Sequence, residues 1–382
     1  MDCRIAIARI DRIDKARNGR RGMMRAVLRG VRQMSSGLTS APPRGGGGGV
    51  GIHFDAAAVQ FVRLTRCAGP ARLRLTAYGS AVVEDGVVRG ALIAKPEAAA
   101  RHLADLLERT GMSASELRDD TIVLALPAHG LKTEVVDYPA DVPPRALRAW
   151  CERRAALLVP GDADAGLRCR VGVTWADPAN HRLRLYACEA ELVDARVAVL
   201  EMCGLQPQAV DAAHEAARRA FRWAWPSAAR ADASAGSGAN TETEANAGVE
   251  REPPPLALLQ VDANEFDLSV FDGSDCVADA RERFDGIGGH PDALAGIVRE
   301  VAGKLAVRPR AMYLAAQGAS PGTLVAICDA LEAACGIPVR PFDPLRRFSI
   351  SHRRQPFAQR GAFAVACGLA LRAMSVQGVS CE

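Results

Sequence analysis

The strongest constraint on the fold of this chain is a succession of strands and helices that occurs twice, beginning at Val50 and again at Leu256. Each copy opens with three stretches of continuous or alternating apolar residues, which predict β-strands at residues 50–54, 59–66 and 72–78, and at residues 256–261, 266–271 and 276–284. The breaks between these strands are short, so each trio favours an antiparallel meander. Two related half-molecules are therefore expected.

Helices and further strands follow each meander. Residues 96–110 predict an amphipathic helix, because Leu103, Leu106 and Leu107 share one face and Gly111 provides a stop. The other predicted helices are residues 144–159, 192–204, 211–223, 290–305, 323–334 and 361–374, and the other predicted strands are residues 121–127, 167–175, 182–187, 311–315 and 337–339. This alternation is typical of the α/β class.

Two segments differ in composition from the rest and set most of the expected boundaries. The first 44 residues contain 11 Arg or Lys against three Asp, and they are followed by five consecutive glycines. Residues 226–255 have hardly any large apolar side chain, too few to offset the entropy lost on ordering. The predicted organisation is a disordered basic segment at 1–49, a first domain at 50–225, a flexible linker at 226–255, a second domain at 256–375 and a tail at 376–382.

The basic N-terminal segment leaves three alternatives open. Residues 23–34 could form a short amphipathic helix at a membrane surface. They could equally belong to a disordered arm, or the natural chain could start at Met23 or Met24. The low complexity and the charge bias of the segment favour the last two readings.

The composition of the remaining chain argues against several classes of protein. Beyond residue 44 the net charge is −4, which gives no support for nucleic-acid binding. The longest apolar run, residues 361–371, is shorter than the roughly 20 residues that a bilayer requires. Eleven cysteines without a CxxC pair are typical of buried thiols in a reducing compartment. We therefore expect a cytoplasmic protein that does not itself insert into a membrane.

Several short motifs follow one another along residues 50–375. The first is residues 51–64, and the others are residues 124–127, 150–160, 204–207 and 210–211, and residues 261–262, 271–273, 336–339, 343–344 and 364–370. Their order and spacing resemble the PilM family of type IV pilus assembly proteins, in which the first motif reads Gly-Ile-Asp-Ile-Gly and continues into an alternating strand. The resemblance implies an α/β fold of duplicated actin-like (ribonuclease H-like) domains, with an inserted α+β subdomain like that of FtsA at about residues 128–189.

The resemblance also implies a partner and a place in the cell. Family members bind the short cytoplasmic tail of the inner-membrane protein PilN. By resemblance, this chain would be a cytoplasmic scaffold of a type IV pilus or type II secretion-type apparatus. It would be peripheral to the inner membrane through that partner, and it could also self-associate. The groove for the tail would lie near the inserted subdomain.

The first nucleotide turn departs from the actin-like pattern. In that fold, glycines allow the N–H groups of two hairpin turns to approach the phosphates, and acidic residues organise Mg²⁺. Gly51 is kept, but His53 stands at the family's Asp position, Asp55 at its Gly position and Gln60 at its Lys position. A carboxylate about 4 Å from a phosphate costs on the order of 4 kcal/mol at an effective dielectric constant of about 20.

The second turn and the adenosine loop are also altered. Asp262 is matched to the family's acid, but the glycine expected two residues later is Asn264, and the usual run of glycines in the adenosine loop is reduced to Gly318. These candidate residues predict degenerate nucleotide loops without a catalytic residue or a metal site. We expect neither ATP nor Mg²⁺ as a cofactor and predict a pseudo-ATPase.

Two other functions compete with the scaffold. An ATPase or small-molecule kinase of the same fold would need working phosphate turns, and a low level of nucleotide binding stays open. A division protein like FtsA would need a C-terminal amphipathic helix, for which residues 375–382 are too short and polar.

Overall fold

The structure is a computed structural model that describes residues 47–67, 73–138, 142–159, 169–177, 181–225, 254–262, 265–284, 291–350 and 357–376. The predicted N-terminal segment up to residue 46, the predicted linker up to residue 253, the tail from residue 377 and the site candidate Asn264 lie outside the described residues.

The elements up to residue 225 are, in chain order, β1 (Gly49–Phe54), β2 (Ala58–Arg66), β3 (Leu73–Val82), β4 (Val88–Arg89), β5 (Leu92–Ile93), α1 (Pro96–Arg109), β6 (Thr121–Leu126), β7 (Lys132–Asp137), α2 (Leu147–Ala156), β8 (Cys169–Asp177), β9 (Arg182–Glu189), α3 (Ala190–Met202), β10 (Ala209–Ala212) and α4 (Ala213–Ala224). From residue 254 they are β11 (Leu256–Val261), β12 (Glu265–Asp272), β13 (Asp275–Arg283), α5 (Pro291–Lys304), β14 (Ala311–Ala316), α6 (Pro321–Cys335), β15 (Val339–Pro341), β16 (Ser349–Ile350) and α7 (Ala364–Val376). Short 3-10 turns lie at Ala128–Gly130, Pro144–Ala146 and Phe357–Phe363.

The two copies of the repeat form sheets with the same topology. In the first, β1 pairs antiparallel with β2 and parallel with β6, giving the order β10-β6-β1-β2-β3. In the second, β11 pairs antiparallel with β12 and parallel with β14, giving β15-β14-β11-β12-β13. The central parallel strands are continuous apolar runs and are buried along their length, as strands covered on both faces should be. The predicted duplicated α/β fold is confirmed.

The segment between β6 and α3 forms the inserted α+β subdomain. Its sheet has the order β7-β9-β8, and α2 packs on one face through Leu147 and Cys151. The sequence analysis missed β7, because only Val135 and Val136 are apolar in a strand that is largely exposed. An outer strand with one solvated face gives little periodic signal.

Other differences from the predicted elements have local causes. The helix expected from residue 211 begins at Ala213, because residues 209–212 form β10, which is too short to show a period. The final helix starts at Ala364 after a 3-10 turn, and the β4–β5 hairpin was not predicted. Helix α6 begins where the Ser320 side chain accepts a hydrogen bond from Thr323 N at 3.1 Å, and it ends at Gly336 in the left-handed region.

The chain divides into two compact units. One contains the residues up to Ala216 together with those from Leu369, and the other contains residues 217–368. The chain passes from one unit to the other twice, once within α4 and once within α7. Within the first unit, α7 packs so closely on β1 that a Cβ atom on Gly49 would lie 2.6 Å from Ala370 O.

Each unit has its own apolar core. In the first, strand residues such as Ile52 pack against Leu103, Leu106 and Leu107, the helix face expected from the sequence. In the second, Leu259 and Leu268 pack with residues of α5 and α6. Among the described residues, no helix is long and apolar enough to cross a membrane.

Candidate functional site

The first hairpin turn lies where β1 ends and β2 begins. Strands β1, β6 and β10 run parallel, so the turn at residues 55–57 shares one edge of the sheet with the ends of β6 and β10. In open α/β sheets, ligands bind outside the carboxyl ends of such strands. The fold therefore places Asp55 where a bound ligand is expected.

The carboxylate of Asp55 is held by three N–H donors. Its Oδ1 accepts hydrogen bonds from Ala57 N and Ala58 N, both at 2.7 Å, and its Oδ2 accepts one from Gln60 Nε2 at 2.7 Å. Asp55 N donates to Ala58 O at 3.0 Å and closes the hairpin. Backbone donors of this turn are thus occupied by a carboxylate of the turn itself.

The other candidates of the first turn lie on the two strands of this hairpin. His53 and Gln60 lie opposite each other across β1 and β2, and both are 1% exposed. Gly51 is buried two residues earlier in β1, between Val62 and Val123. The structure therefore brings Gly51, His53, Asp55 and Gln60 together at one hairpin, with an imidazole at the position of the family's acid.

The second hairpin has the same length as the first. Val261 pairs with Phe266 as Phe54 pairs with Val59, and Asp262 N donates to Glu265 O at 2.9 Å, just as Asp55 N donates to Ala58 O. Asp262 therefore corresponds to Asp55. In the same register Gln260, which is 5% exposed, corresponds to His53.

The position of Gln60 is taken in the second unit by Asp267, which is buried in an ionic network. Arg218 Nη2 lies 3.0 and 3.2 Å from the two carboxylate oxygens of Asp267 and 2.9 Å from Asp279 Oδ2. Arg281 Nη2 donates to Asp267 Oδ2 at 3.3 Å, and the Ser269 hydroxyl donates to Asp267 Oδ1 at 2.8 Å. Sequence reasoning missed this network, because its residues come from a helix and two strands.

Gly318 follows the end of β14, beside the second hairpin. Its φ of 69° lies in the left-handed region, where glycine is favoured, and the preceding residue, Gln317, donates its N–H to Val261 O at 3.1 Å. Asp262 and Gly318 thus stand at neighbouring strand ends of the second unit.

The first turn does not fit a magnesium-bound nucleotide. Its N–H donors already serve a carboxylate, and the residue at the acid position is an imidazole. Within the described ranges, no group of three or more His, Cys, Asp or Glu side chains could hold a metal ion.

A second polar cluster joins the inserted subdomain to the start of α4. Glu215 Oε1 accepts a hydrogen bond from the Tyr186 hydroxyl at 3.2 Å, and it lies 3.6 Å from Arg184 Nη1 and 3.7 Å from His214 Nε2. Tyr186, His214 and Glu215 are all buried. The cluster fixes one face of β9 against α4, and no sequence motif indicated it.

The described cysteines are free, and several are core residues. Burial raises the pKa of Cys151 and of Cys188 to about 12 in each case, so both thiols stay protonated at neutral pH. Protonated thiols are poor nucleophiles and poor metal ligands.

Comparison with known proteins gives a family match and a structural match. Residues 51–235 match the family described as "Type IV pilus assembly protein PilM". A solved "PilM-PilN type IV pilus biogenesis complex" is 17% identical, covers 87% of this chain and 99% of that chain, and has a TM-score of 0.64. A search of curated proteins finds no match.

Two other solved structures are similar at lower TM-scores. The ethanolamine utilization protein EutJ from Carboxydothermus hydrogenoformans is 12% identical, with 86% of this chain and 91% of that chain covered and a TM-score of 0.42. A Bacteroides thetaiotaomicron protein of unknown function with an actin-like ATPase fold is 7% identical, with 81% and 98% covered and a TM-score of 0.43.

The resemblance to the PilM family that the sequence indicated is confirmed for residues 51–235. Several of the short motifs, such as residues 124–127 and 261–262, lie on strands and turns of two sheets with one topology. The described part of the chain shares the fold of the solved PilM-PilN structure.

Proposed function

We propose that this chain is a cytoplasmic PilM-like scaffold of a type IV pilus or type II secretion-type assembly apparatus. It binds the cytosolic tail of an inner-membrane PilN-like protein and does not hydrolyse ATP efficiently. The observation that carries the second part is the first turn, whose donors Ala57 N and Ala58 N are occupied by Asp55. A phosphate would have to displace a carboxylate of like charge.

The scaffold role predicts an outcome with nucleotide. The wild-type protein should show no rise in Tm with millimolar ATP and Mg²⁺, and no release of phosphate above the blank. Ligands that bind the folded state stabilise it by mass action, so a rise of several degrees would reveal a working site. That result would favour the alternative function, an actin-fold ATPase or kinase.

The partner surface that we propose is the open part of the inserted sheet. Thr133 and Val135 of β7 lie opposite Tyr186 and Arg184 of β9 and share a face of the sheet with them. At β9 this face is covered, because Tyr186 and Arg184 contact Glu215 of α4. At β7 it is open: Thr133 is exposed and Val135 is 36% exposed.

An exposed strand beside a covered one forms a shelf suited to an extended peptide. A tail lying there could place an apolar side chain on Val135 and pair its backbone with the outer edge of β7. The solved relative is described as a PilM-PilN complex, which supports a PilN-like partner.

The test is binding of a fluorescent peptide with the sequence of the cytosolic tail of a PilN-like protein from the same source as this chain. Val135→Asp should raise Kd about tenfold or more, because it places a charge in an apolar contact. Val325→Asp is the matched control, since Val325 is 54% exposed on α6 of the other unit. Its Kd should equal that of the wild type.

Three outcomes separate the parts of the proposal. Loss of peptide binding in the Val135 variant alone supports the proposed binding surface on β7. Equal binding by both variants moves the peptide site elsewhere on the chain. A wild-type protein that binds no tail peptide refutes the proposed partner.

A further inference from the structure

The donors around Asp55 are arranged as in an anion site. Two backbone N–H groups and one side-chain amide converge on a single carboxylate, each at 2.7 Å. Distances this short are typical of hydrogen bonds to a charged acceptor. Turns whose successive N–H groups point to one place bind anions elsewhere in proteins.

The side-chain donor is buried under the turn. Gln60 is 1% exposed, so its amide has little access to solvent, and its Nε2 donates to Asp55 Oδ2. A buried amide donor is costly to leave without an acceptor. Gln60 therefore favours an oxyanion at this spot, whether that oxyanion belongs to the chain or to a ligand.

One of the two backbone donors, by contrast, belongs to an exposed residue. Ala57 is exposed, and Ala58 is buried at the start of β2. An oxyanion from solution would therefore reach the turn from outside, at the carboxyl end of β1, once the carboxylate of Asp55 was gone. The hydrogen bond from Asp55 N to Ala58 O closes the hairpin at residues 55–58.

We propose that the first hairpin is an anion-binding turn occupied by the chain's own Asp55 carboxylate, and that removal of this carboxylate opens it to a free phosphate-type oxyanion. The inference rests on the proposed function, because it gives the reason why nucleotide is excluded. It also means that the conformation of the turn does not depend on a bound nucleotide, because the Asp55 carboxylate always supplies the anion.

The test uses inorganic phosphate as the probe, with sodium chloride at equal ionic strength as the reference. Asp55→Gly frees all three donors. Its Tm should rise by about 2 °C or more in tens of millimolar phosphate relative to chloride, because phosphate binds only the folded state. The wild type should show no such difference.

Asp55→Asn is the matched control. An asparagine keeps an acceptor oxygen for Ala57 N and Ala58 N, and the Gln60 amide can turn so that its oxygen accepts from the new Nδ2. This variant should resemble the wild type in phosphate. Adding Gln60→Leu to the glycine variant should abolish the phosphate effect, because the buried donor is lost.

The outcomes are distinct from those of the proposed function. Phosphate-specific stabilisation of the glycine variant alone supports the inference. No phosphate effect in that variant, or an equal effect in the wild type, overturns it. If the glycine variant does not fold, Asp55→Ala removes the same carboxylate and is judged by the same comparison. Binding of the tail peptide is measured on every variant. If the wild type does not bind the tail peptide, the proposed partner is refuted and the proposal for the turn is unaffected.

Discussion

The two hairpins of this molecule share one strand pairing and one closing hydrogen bond, but they stabilise a carboxylate in two different ways. In the first, Asp55 is satisfied within six residues, by Ala57 N, Ala58 N and Gln60 Nε2. In the second, Asp267 occupies the place of Gln60 and is neutralised by Arg218 from α4 and Arg281 from β13. In the first arrangement the donors are uncharged and lie within the same hairpin. In the second the donors are charged, and Arg218 comes from a distant part of the sequence.

This difference teaches how a duplicated turn can diverge while the sheet around it stays the same. A local network depends on the turn sequence alone, so it can change without any effect on distant elements. A network that ties a helix to two strands couples the turn to the packing of its unit. We therefore expect substitutions at the second hairpin to cost more stability than those at the first.

The largest effect should come from the ionic network. Arg218→Met removes a side chain that is 3% exposed and leaves the carboxylate of Asp267 without its main guanidinium. Breaking a buried ion pair from one side typically costs about 3–5 kcal/mol in the free energy of unfolding. Urea denaturation of the full chain, followed by tryptophan fluorescence, would measure the loss.

The control is the same substitution at an exposed ion pair. Lys304 and Glu300 form an i,i+4 pair at 2.8 Å on α5. Surface pairs of this kind contribute little, so Lys304→Met should leave the urea midpoint unchanged. Equal losses at the two positions would contradict the distinction between a buried ionic network and surface charge.

The next effect comes from forcing the first hairpin to resemble the second. Gln60→Glu places a carboxylate beside Asp55 without bringing an arginine, at a position that is 1% exposed. Repulsion between the two carboxylates should lower the free energy of unfolding by about 2–4 kcal/mol at pH 8.

The pH dependence of that variant tests the cause. The carboxyl introduced at position 60 is buried beside Asp55, so burial and like charge both favour its protonated form in the folded state. The folded pKa is raised, so the penalty is smallest at low pH and grows as the pH rises through that pKa. Urea midpoints at pH 5 and pH 8 would check this. A penalty that is equal at both pH values would mean that steric misfit, not charge, is responsible.

The hairpins also show how far the sequence alone could lead. Local sequence pattern predicts the meanders and the duplicated sheet. It also places residues 51, 53, 55 and 60 on one hairpin, because hairpin neighbours are close in sequence. The effect of Asp55 was predicted only in part: the sequence indicated that its negative charge would repel a phosphate. Only the structure shows that the Asp55 carboxylate already accepts hydrogen bonds from N–H groups of the turn.

What the sequence could not predict depends on contacts between distant segments. Arg218 and Asp267 are 49 residues apart, and nothing in either segment indicates the other. The correspondence between Asp262 and Asp55 also depends on strand pairing, which the short motifs did not indicate. A register can be read from a sequence only when the turn residues fix it.

A smaller effect is expected when the first network loses its carboxylate. Asp55→Ala should lower the free energy of unfolding by about 1–2 kcal/mol, because water can reach the N–H of exposed Ala57, while the buried Gln60 amide loses its acceptor. Asp55→Asn should recover most of the loss. Urea denaturation in chloride buffer is the measurement, and a loss as large as that of Arg218→Met would remove the contrast between local and long-range networks.

The smallest effect should come from Arg281→Ala, and it sharpens the comparison most. Arg281 is 29% exposed and shares Asp267 with Arg218, so its removal should cost less than about 1 kcal/mol on its own. In the Arg218→Met background the same change removes the second guanidinium from a buried carboxylate, and the cost should rise, because partners of one charge are not additive. A double-mutant cycle in urea measures this coupling. If Arg281→Ala lowers the free energy of unfolding equally with and without Arg218, the two arginines act separately. The second hairpin would then contain no coupled ionic network.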